Sequence, residues 1–413
     1  MSKPMGSIPA DFAVSGPSLI LGGRSVEALI AEAGDTPLFV YDLDVVARRI
    51  ALFRSAIPQA VHLHYAMKAN PYGPLLRYMA KRVDGFDVAS AREMRMALDA
   101  GMPADAISFA GPGKRAPEIE EAIAAGVTLN CESEGEAERA IAIGARIGMR
   151  PRLAVRVNPD FEIRGSGMRM GGGAKPFGVD AERVPALVRS IREAGADWRG
   201  FHIFVGSQAL DADALIEAQK ATLGLAAHMA HDVGAAPPLV NLGGGFGIPY
   251  FGGEQPLDVE KVGAALAEGI AQRDPILQDT QFAIELGRWL VGECGVYLTS
   301  IVDRKVSHGK LFLVTDGGMH HQLAASGNFG QVVRRNYPVA VATRWSEPAS
   351  EEASIVGCLC TPLDRLADDV MIPSAQVGDV VAVFLAGAYG LSASPQGFLA
   401  QQPALELAVG GGD

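Results

Sequence analysis

The feature that most restricts how this chain can fold is a strand–helix alternation repeated eight times. Short apolar or β-branched segments recur at residues 61–66, 85–88, 106–110, 128–131, 152–158, 200–205, 239–242 and 282–286. Between them lie stretches rich in Ala, Glu, Arg and Leu at helical spacing, among them 91–100, 116–125, 134–147 and 181–194. That order predicts parallel strands joined by crossover helices, and eight repeats predict an α/β fold of the (β/α)8 barrel type. An open doubly wound sheet would show the same alternation. The barrel is preferred because polar motifs end nearly all eight segments, and barrel active sites collect at the C-terminal ends of the strands. A helix over 43–57, with Asp42 as its N-cap, precedes the first strand.

After about residue 290 the pattern changes. Segments 295–306, 310–315, 339–344, 353–358 and 379–385 alternate with turns and carry little helical signal, which predicts an antiparallel β domain. The helix-poor N-terminus is expected to join it. The expected domains are therefore 36–290 for the barrel, with 1–35 and 291–413 forming the β domain. A chain of 413 residues is long enough for both.

A net charge of −11 with no Lys/Arg run excludes general nucleic-acid binding. The cysteines, Cys131, Cys294, Cys358 and Cys360, show no metal spacing, and the C-x-C pair 358/360 is not a redox C-x-x-C. Reduced thiols, the lack of a signal-peptide pattern and the lack of a long apolar run predict a cytoplasmic protein without metal or membrane attachment.

The strand ends carry the chemistry. Lys68 follows the first strand in His64-Tyr65-Ala66-Met67-Lys68-Ala69-Asn70. A lone lysine there is usually a surface group, but a desolvated one is nucleophilic and can form a Schiff base. The seventh strand runs into Gly243-Gly244-Gly245, where backbone N–H groups can converge on an anion. The eighth ends in Glu285-Leu286-Gly287-Arg288. Arg288 suits a phosphate, and Glu285 suits a protonated ring nitrogen. The sixth supplies His202 and Phe204, which share a face by period two, and then Ser207 as a donor to phosphate. Asp87 and Asn158 end the second and fifth strands, and a glycine-rich loop over 164–175 follows the latter. The C-terminal domain holds Cys358-Leu359-Cys360-Thr361-Pro362-Leu363-Asp364 in one turn and Tyr389 in another.

As a set these residues resemble the fold-type III pyridoxal-phosphate decarboxylases of diaminopimelate, ornithine and arginine, over nearly the whole chain. The resemblance implies a barrel plus β domain acting as a homodimer with sites at the subunit interface, and pyridoxal 5'-phosphate as cofactor. It makes Lys68 the Schiff-base lysine and Glu285 the partner of the pyridine nitrogen. Asp87 and His202 become cofactor-side groups, and Ser207, Gly243, Gly244, Gly245, Arg288 and Tyr389 become phosphate or cofactor contacts. Cys360 matches the thiol that returns a proton to the substrate carbon from the partner subunit, and Asp364 matches the acid closing that motif, counted with Thr361 among the substrate-binding residues. Arg334, Arg335 and Tyr337 are candidates for a substrate carboxylate, without a spacing argument.

Three positions depart from the family pattern. Phe204 stands where a histidine usually stacks on the ring, Leu286 stands for a proline, and Thr361 stands for an acid that holds the substrate's distal ammonium. These departures are similar to the branch associated with exosortase and polysaccharide gene clusters, whose relatives act on amino acids carried on acyl-carrier proteins. The expected reaction is decarboxylation of an amino acid or derivative, free or carrier-linked. A racemase of the same fold type and a non-catalytic regulatory homologue are the alternatives.

Overall fold

The computed structural model describes residues 3–12, 16–162, 168–169, 172–329, 331 and 333–412. Gly165, Gly167 and Gly171 of the expected loop lie outside them. The chain divides into two compact units, one of Ile50–Ile248 and Pro256–Gly287, the other of Met1–Arg49, Pro249–Gln255 and Arg288–Asp413.

The first unit is the barrel. Its strands are β1 Val61–Ala66, β2 Gly85–Val88, β3 Ile107–Phe109, β4 Thr128–Cys131, β5 Arg152–Asn158, β6 Asp197–Ile203, β7 Leu239–Asn241 and β8 Gln281–Leu286. Each pairs in parallel with the next, and β8 closes onto β1 through Phe282↔Val61 to Leu286↔Tyr65. Strands enclosed on both faces must be apolar almost throughout, and β5 and β8 are buried at every residue but the first. The eight predicted segments therefore mark the eight strands.

Local chemistry sets where the helices begin. Ser90, Ser133, Asp211 and Asp258 accept from backbone N–H groups of helices Ala91–Asp99, Glu134–Ile147, Ala212–Val233 and Val259–Ala271. Each such cap contributes about 1 kcal/mol. The helix expected over 181–194 begins later, as Val184–Glu193, behind a 3-10 turn over Ala181–Arg183. Pro185 at its first turn suits that start.

The second unit is a mostly antiparallel sheet. Its strands are β9 Gly295–Ser307, β10 Lys310–Thr315, β11 Val339–Val341, β12 Glu351–Val356, β13 Arg365–Ile372, β14 Val380–Val383 and β15 Leu405–Val409, in the order β11-β14-β9-β10-β12-β13. The N-terminal part adds the strand Leu38–Asp42, which runs antiparallel to β9 and parallel to β15. The pair β10–β12 is also parallel. All five residues of Leu38–Asp42 are buried because the strand has a neighbour on each side. No helix among the described residues is long and apolar enough to cross a membrane.

Candidate active site

In the barrel unit, β1 ends in a 3-10 turn over Met67–Ala69. Met67 and Ala69 are buried, whereas the Lys68 side chain is 45% exposed. Its Nζ lies 3.7 Å from Glu285 Oε1 and 5.6 Å from the centre of the Phe204 ring. Glu285, on β8, is buried, and its Oε2 is 2.9 Å from His202 Nε2 on β6. Burial pushes the Glu285 carboxyl up. The His202 hydrogen bond and the charges of Lys68, His202 and Arg156 outweigh that and hold it below the usual carboxylate range. Lys68, Glu285, His202 and Phe204 thus form one cluster.

Asp87, on β2, is also buried, and neither carboxylate oxygen has a hydrogen-bond partner among the described residues. His64 Nδ1 stands 3.4 Å from Asp87 Oδ2. Burial pulls the His64 pKa down, but the carboxylates of Asp87, Glu285 and Asp84 together outweigh it and the net shift is upward. Ser207 Oγ and His202 Nδ1 are likewise buried without a partner among the described residues. Orphaned polar atoms of this kind are costly unless a bound polar group satisfies them. Asp87, Ser207 and His202 therefore fit a phosphorylated heteroaromatic cofactor.

The glycine run has a packing cause as well as an anion-binding use. A Cβ at Gly243 (φ +68°) would come within 2.7 Å of the Ile203 carbonyl oxygen, and one at Gly244 would collide with the Glu285 carbonyl. Only bare backbone lets β7 leave the barrel between β6 and β8. Among the described residues, the amides of Gly244 and Gly245 donate no backbone hydrogen bond.

Sequence reasoning missed a buried charge chain that runs from the loops after β3 and β4 to β5 and the helix Glu134–Ile147. Arg156 pairs with Glu132 at 2.9 Å, and Lys114 pairs with Glu136 at 2.6 Å while donating to the Gly111 and Asn130 carbonyls. Glu132 also accepts from the amide of Gly178. Charged residues at successive strand ends were the available signal.

In the β unit, Arg288 donates to the Tyr250 hydroxyl at 3.0 Å and lies over the rings of Tyr250 (5.4 Å) and Tyr389 (4.9 Å). Burial lowers its pKa, but the three neighbours Tyr250, Tyr389 and Tyr337 outweigh that and raise it. Tyr337 packs on Tyr250 with ring centres 4.9 Å apart. Tyr250 carried no sequence signal. It lies on Pro249–Gln255, a short excursion of the barrel sequence into this unit. Arg334 is engaged elsewhere. It pairs with Asp368 at 2.5 Å and donates to the Ser326 and Arg365 carbonyls. Arg335 pairs with Glu254 at 3.1 Å and lies over the Phe251 ring.

The turn between β12 and β13 carries Cys360, exposed, and Cys358, half-buried. Asp364 organises it: Oδ1 accepts from the Met319 amide at 2.6 Å and Oδ2 from the Leu359 amide at 2.8 Å. Thr361 Oγ1 accepts from the Leu363 amide at 3.3 Å. The Asp364 carboxylate thus holds backbone on both oxygens.

Comparison with known proteins follows the same lines. The family described as pyridoxal-dependent decarboxylase, pyridoxal binding domain, matches residues 43–292. The L-glutamyl-[BtrI acyl-carrier protein] decarboxylase of Niallia circulans is 35% identical over 379 residues, covering 90% of this chain and 88% of the relative. The diaminopimelate decarboxylase of Archaeoglobus fulgidus is 31% identical over 391 residues, covering 93% and 90%. The crystal structure of diaminopimelate decarboxylase from Helicobacter pylori complexed with L-lysine superposes with a TM-score of 0.81 at 26% identity, over 93% of this chain and 94% of that one. These relatives are decarboxylases, which disfavours the racemase and regulatory readings. The chain belongs to the pyridoxal-dependent decarboxylases: it is an amino-acid decarboxylase whose cofactor is pyridoxal phosphate.

Proposed function

We propose that the substrate is an amino acid whose side-chain carboxyl is joined to an acyl-carrier protein. Removal of the α-carboxylate needs a free α-amino group to bond the cofactor and a free α-carboxylate to lose. A carrier can then be attached only through the side chain, which leaves a neutral distal group. The observation that carries this reading is Thr361, a neutral hydroxyl in the Cys360–Asp364 turn. An ammonium at the substrate's far end would need a carboxylate there. The Niallia circulans relative, named for a glutamyl carrier-protein substrate, supports the same direction.

In this reading Lys68 is the residue that would hold the cofactor, through its amine. Glu285, oriented by His202, would face the ring nitrogen and favour its protonation, and Phe204 would be the flat contact for the ring. Within the barrel unit, Ser207 and the amides of Gly244 and Gly245 would take the phosphate, the Gly243 amide being bonded to Asn241 Oδ1, and Asp87 would be the acid on the cofactor side. Pyridoxal phosphate, when bound, supplies the electron sink that accepts the pair left behind by CO₂. Cys360, contributed by the partner in a homodimer, returns a proton to the substrate carbon. Arg334 is committed to Asp368 and Arg335 to Glu254 and the Phe251 ring, which leaves Tyr337 as the candidate for a substrate carboxylate. The four unpaired cysteines favour a reducing cytoplasm.

The test is CO₂ release from glutamate loaded on a carrier through its side-chain carboxyl, beside free glutamate, diaminopimelate and ornithine. The carrier-linked substrate is expected to have a kcat/KM at least about tenfold higher, or about 1.4 kcal/mol of preference. Faster turnover of diaminopimelate or ornithine overturns the reading.

A further inference from the structure

Along β1, His62, His64 and Ala66 alternate with Leu63 and Tyr65, so both histidines share the face turned into the barrel. Their ring centres are 6.5 Å apart. Both line a cavity of about 320 Å³ at the N-terminal end of the strands, the end away from Lys68. Asp84, Arg199 and Gln281 stand among its lining at the start of β2, β6 and β8, and Asn130 and Asn241 line it from within. At about 30 Å³ per molecule, a cavity of this size and polarity holds several waters.

One end of this wet space reaches the site. His64 lines the cavity, and its Nδ1 lies 3.4 Å from Asp87, whose oxygens have no hydrogen-bond partner among the described residues. Gly85 leaves room for the ring, because a Cβ there would come within 2.9 Å of His64 Nε2. The groups facing His64 are Asp87 on β2, Asp84 before it, Glu285 on β8 and His62 on its own strand. Three of these are acids, which favour the imidazolium.

We propose that the cavity, His64 and Asp87 form a proton inlet through the floor of the barrel, with His64 as a positioning and relay residue. The proposal rests on the decarboxylase reading. The net reaction replaces a carboxylate by a C–H bond, RCO₂⁻ + H⁺ → RH + CO₂, so each turnover takes up one proton. A cavity water protonates His64 at Nε2, and the Nδ1 proton passes to Asp87 Oδ2. A ring flip, with no Cβ at Gly85 in its way, resets the tautomer. Asp87 then gives the proton to the bound polar group that faces its otherwise unpartnered oxygens and returns to the carboxylate.

Two variants test this in the cofactor-loaded enzyme. His64→Ala removes the relay, and Ala154→Leu fills the cavity without touching it. Each is expected to lower kcat about a hundredfold with KM unchanged. Imidazole added to His64→Ala restores the rate, and imidazole added to Ala154→Leu does not. A substrate-free arm follows His64 by NMR in ¹³C-histidine-labelled apoprotein. Asp87→Asn should lower its titration midpoint by about one unit or more. Wild-type kcat in both variants, or failure of imidazole to rescue His64→Ala while its near-visible cofactor band is intact, overturns the inlet. So does a His64 midpoint that ignores Asp87→Asn. If the wild type releases CO₂ from no amino acid, the function reading fails, and the NMR arm still decides whether the column is connected.

Discussion

Asp364→Asn is the sharpest single perturbation of the turn that carries Cys360. The wild-type carboxylate answers two backbone donors with two oxygens, Met319 N–H on one and Leu359 N–H on the other. Asparagine has the same shape but one oxygen. Its NH₂ must therefore face an N–H group, and one buried donor loses its partner. An orphaned buried donor costs about 1–3 kcal/mol, and the surviving bond falls from charge-assisted to neutral strength, a further ~1 kcal/mol. Burial of the carboxylate works the other way. It pushes the Asp364 pKa up ahead of the two amides' opposing pull, so neutralisation recovers part of the loss. The net expectation is about 2 kcal/mol of destabilisation, a large share of a domain's usual margin. Urea unfolding should show a lower midpoint at unchanged slope. The CO₂-release rate should fall as well, because the loosened turn holds Cys360 and Thr361. A midpoint within about 0.5 kcal/mol of wild type, with normal turnover, would refute the assignment of Asp364 as the organiser of this turn.

Two other perturbations follow from the same geometry. Glu285→Gln keeps the shape and the His202 contact but loses the charge that would hold a protonated ring nitrogen. A charge-assisted hydrogen bond is worth about 1.5–3 kcal/mol, so kcat should fall by about ten- to a hundredfold, and a change under twofold would refute that role. Asp379 accepts from Arg344 Nε at 2.6 Å, the Gln376 amide at 2.7 Å and Thr343 Oγ1 at 2.8 Å. Burial raises its pKa first, but these donors outweigh it and the net shift is downward. A depressed carboxyl contributes stability above its unfolded value of 3.8, and that stability is lost as pH falls through the lower folded value. Acid unfolding of Asp379→Asn should therefore be less steep below about pH 4 than that of wild type. Parallel acid limbs would show that Asp379 does not contribute.

The barrel was legible because parallel strands enclosed on both faces must be apolar runs, and the helices between them carry their own caps. β13 was harder to see. Asp368 and Asp369 interrupt its alternation, and Asp369 has a positive φ that bends the strand there. Leu38–Asp42 reads as an apolar strand, but nothing local says that it joins the β sheet at β9, more than 250 residues away, rather than the barrel. The cluster of Lys68, Glu285, His202 and Phe204 followed from strand ends meeting at one rim. The Arg288–Tyr250 hydrogen bond and the His64–Asp87 pair did not, because each depends on register between distant segments. Asp364 was read as a group for the substrate. In the structure both of its oxygens hold backbone, a role that local spacing does not distinguish from ligand binding.

The central claim is that the Lys68 amine carries the cofactor. Borohydride reduction of the cofactor-loaded protein, followed by digestion and peptide mass spectrometry, reads this directly. The account predicts a reduced pyridoxyl-phosphate adduct on the peptide containing Lys68, and none after Lys68→Ala. An adduct on Lys114 or another lysine, or no covalent adduct at all in protein that is releasing CO₂, would contradict it.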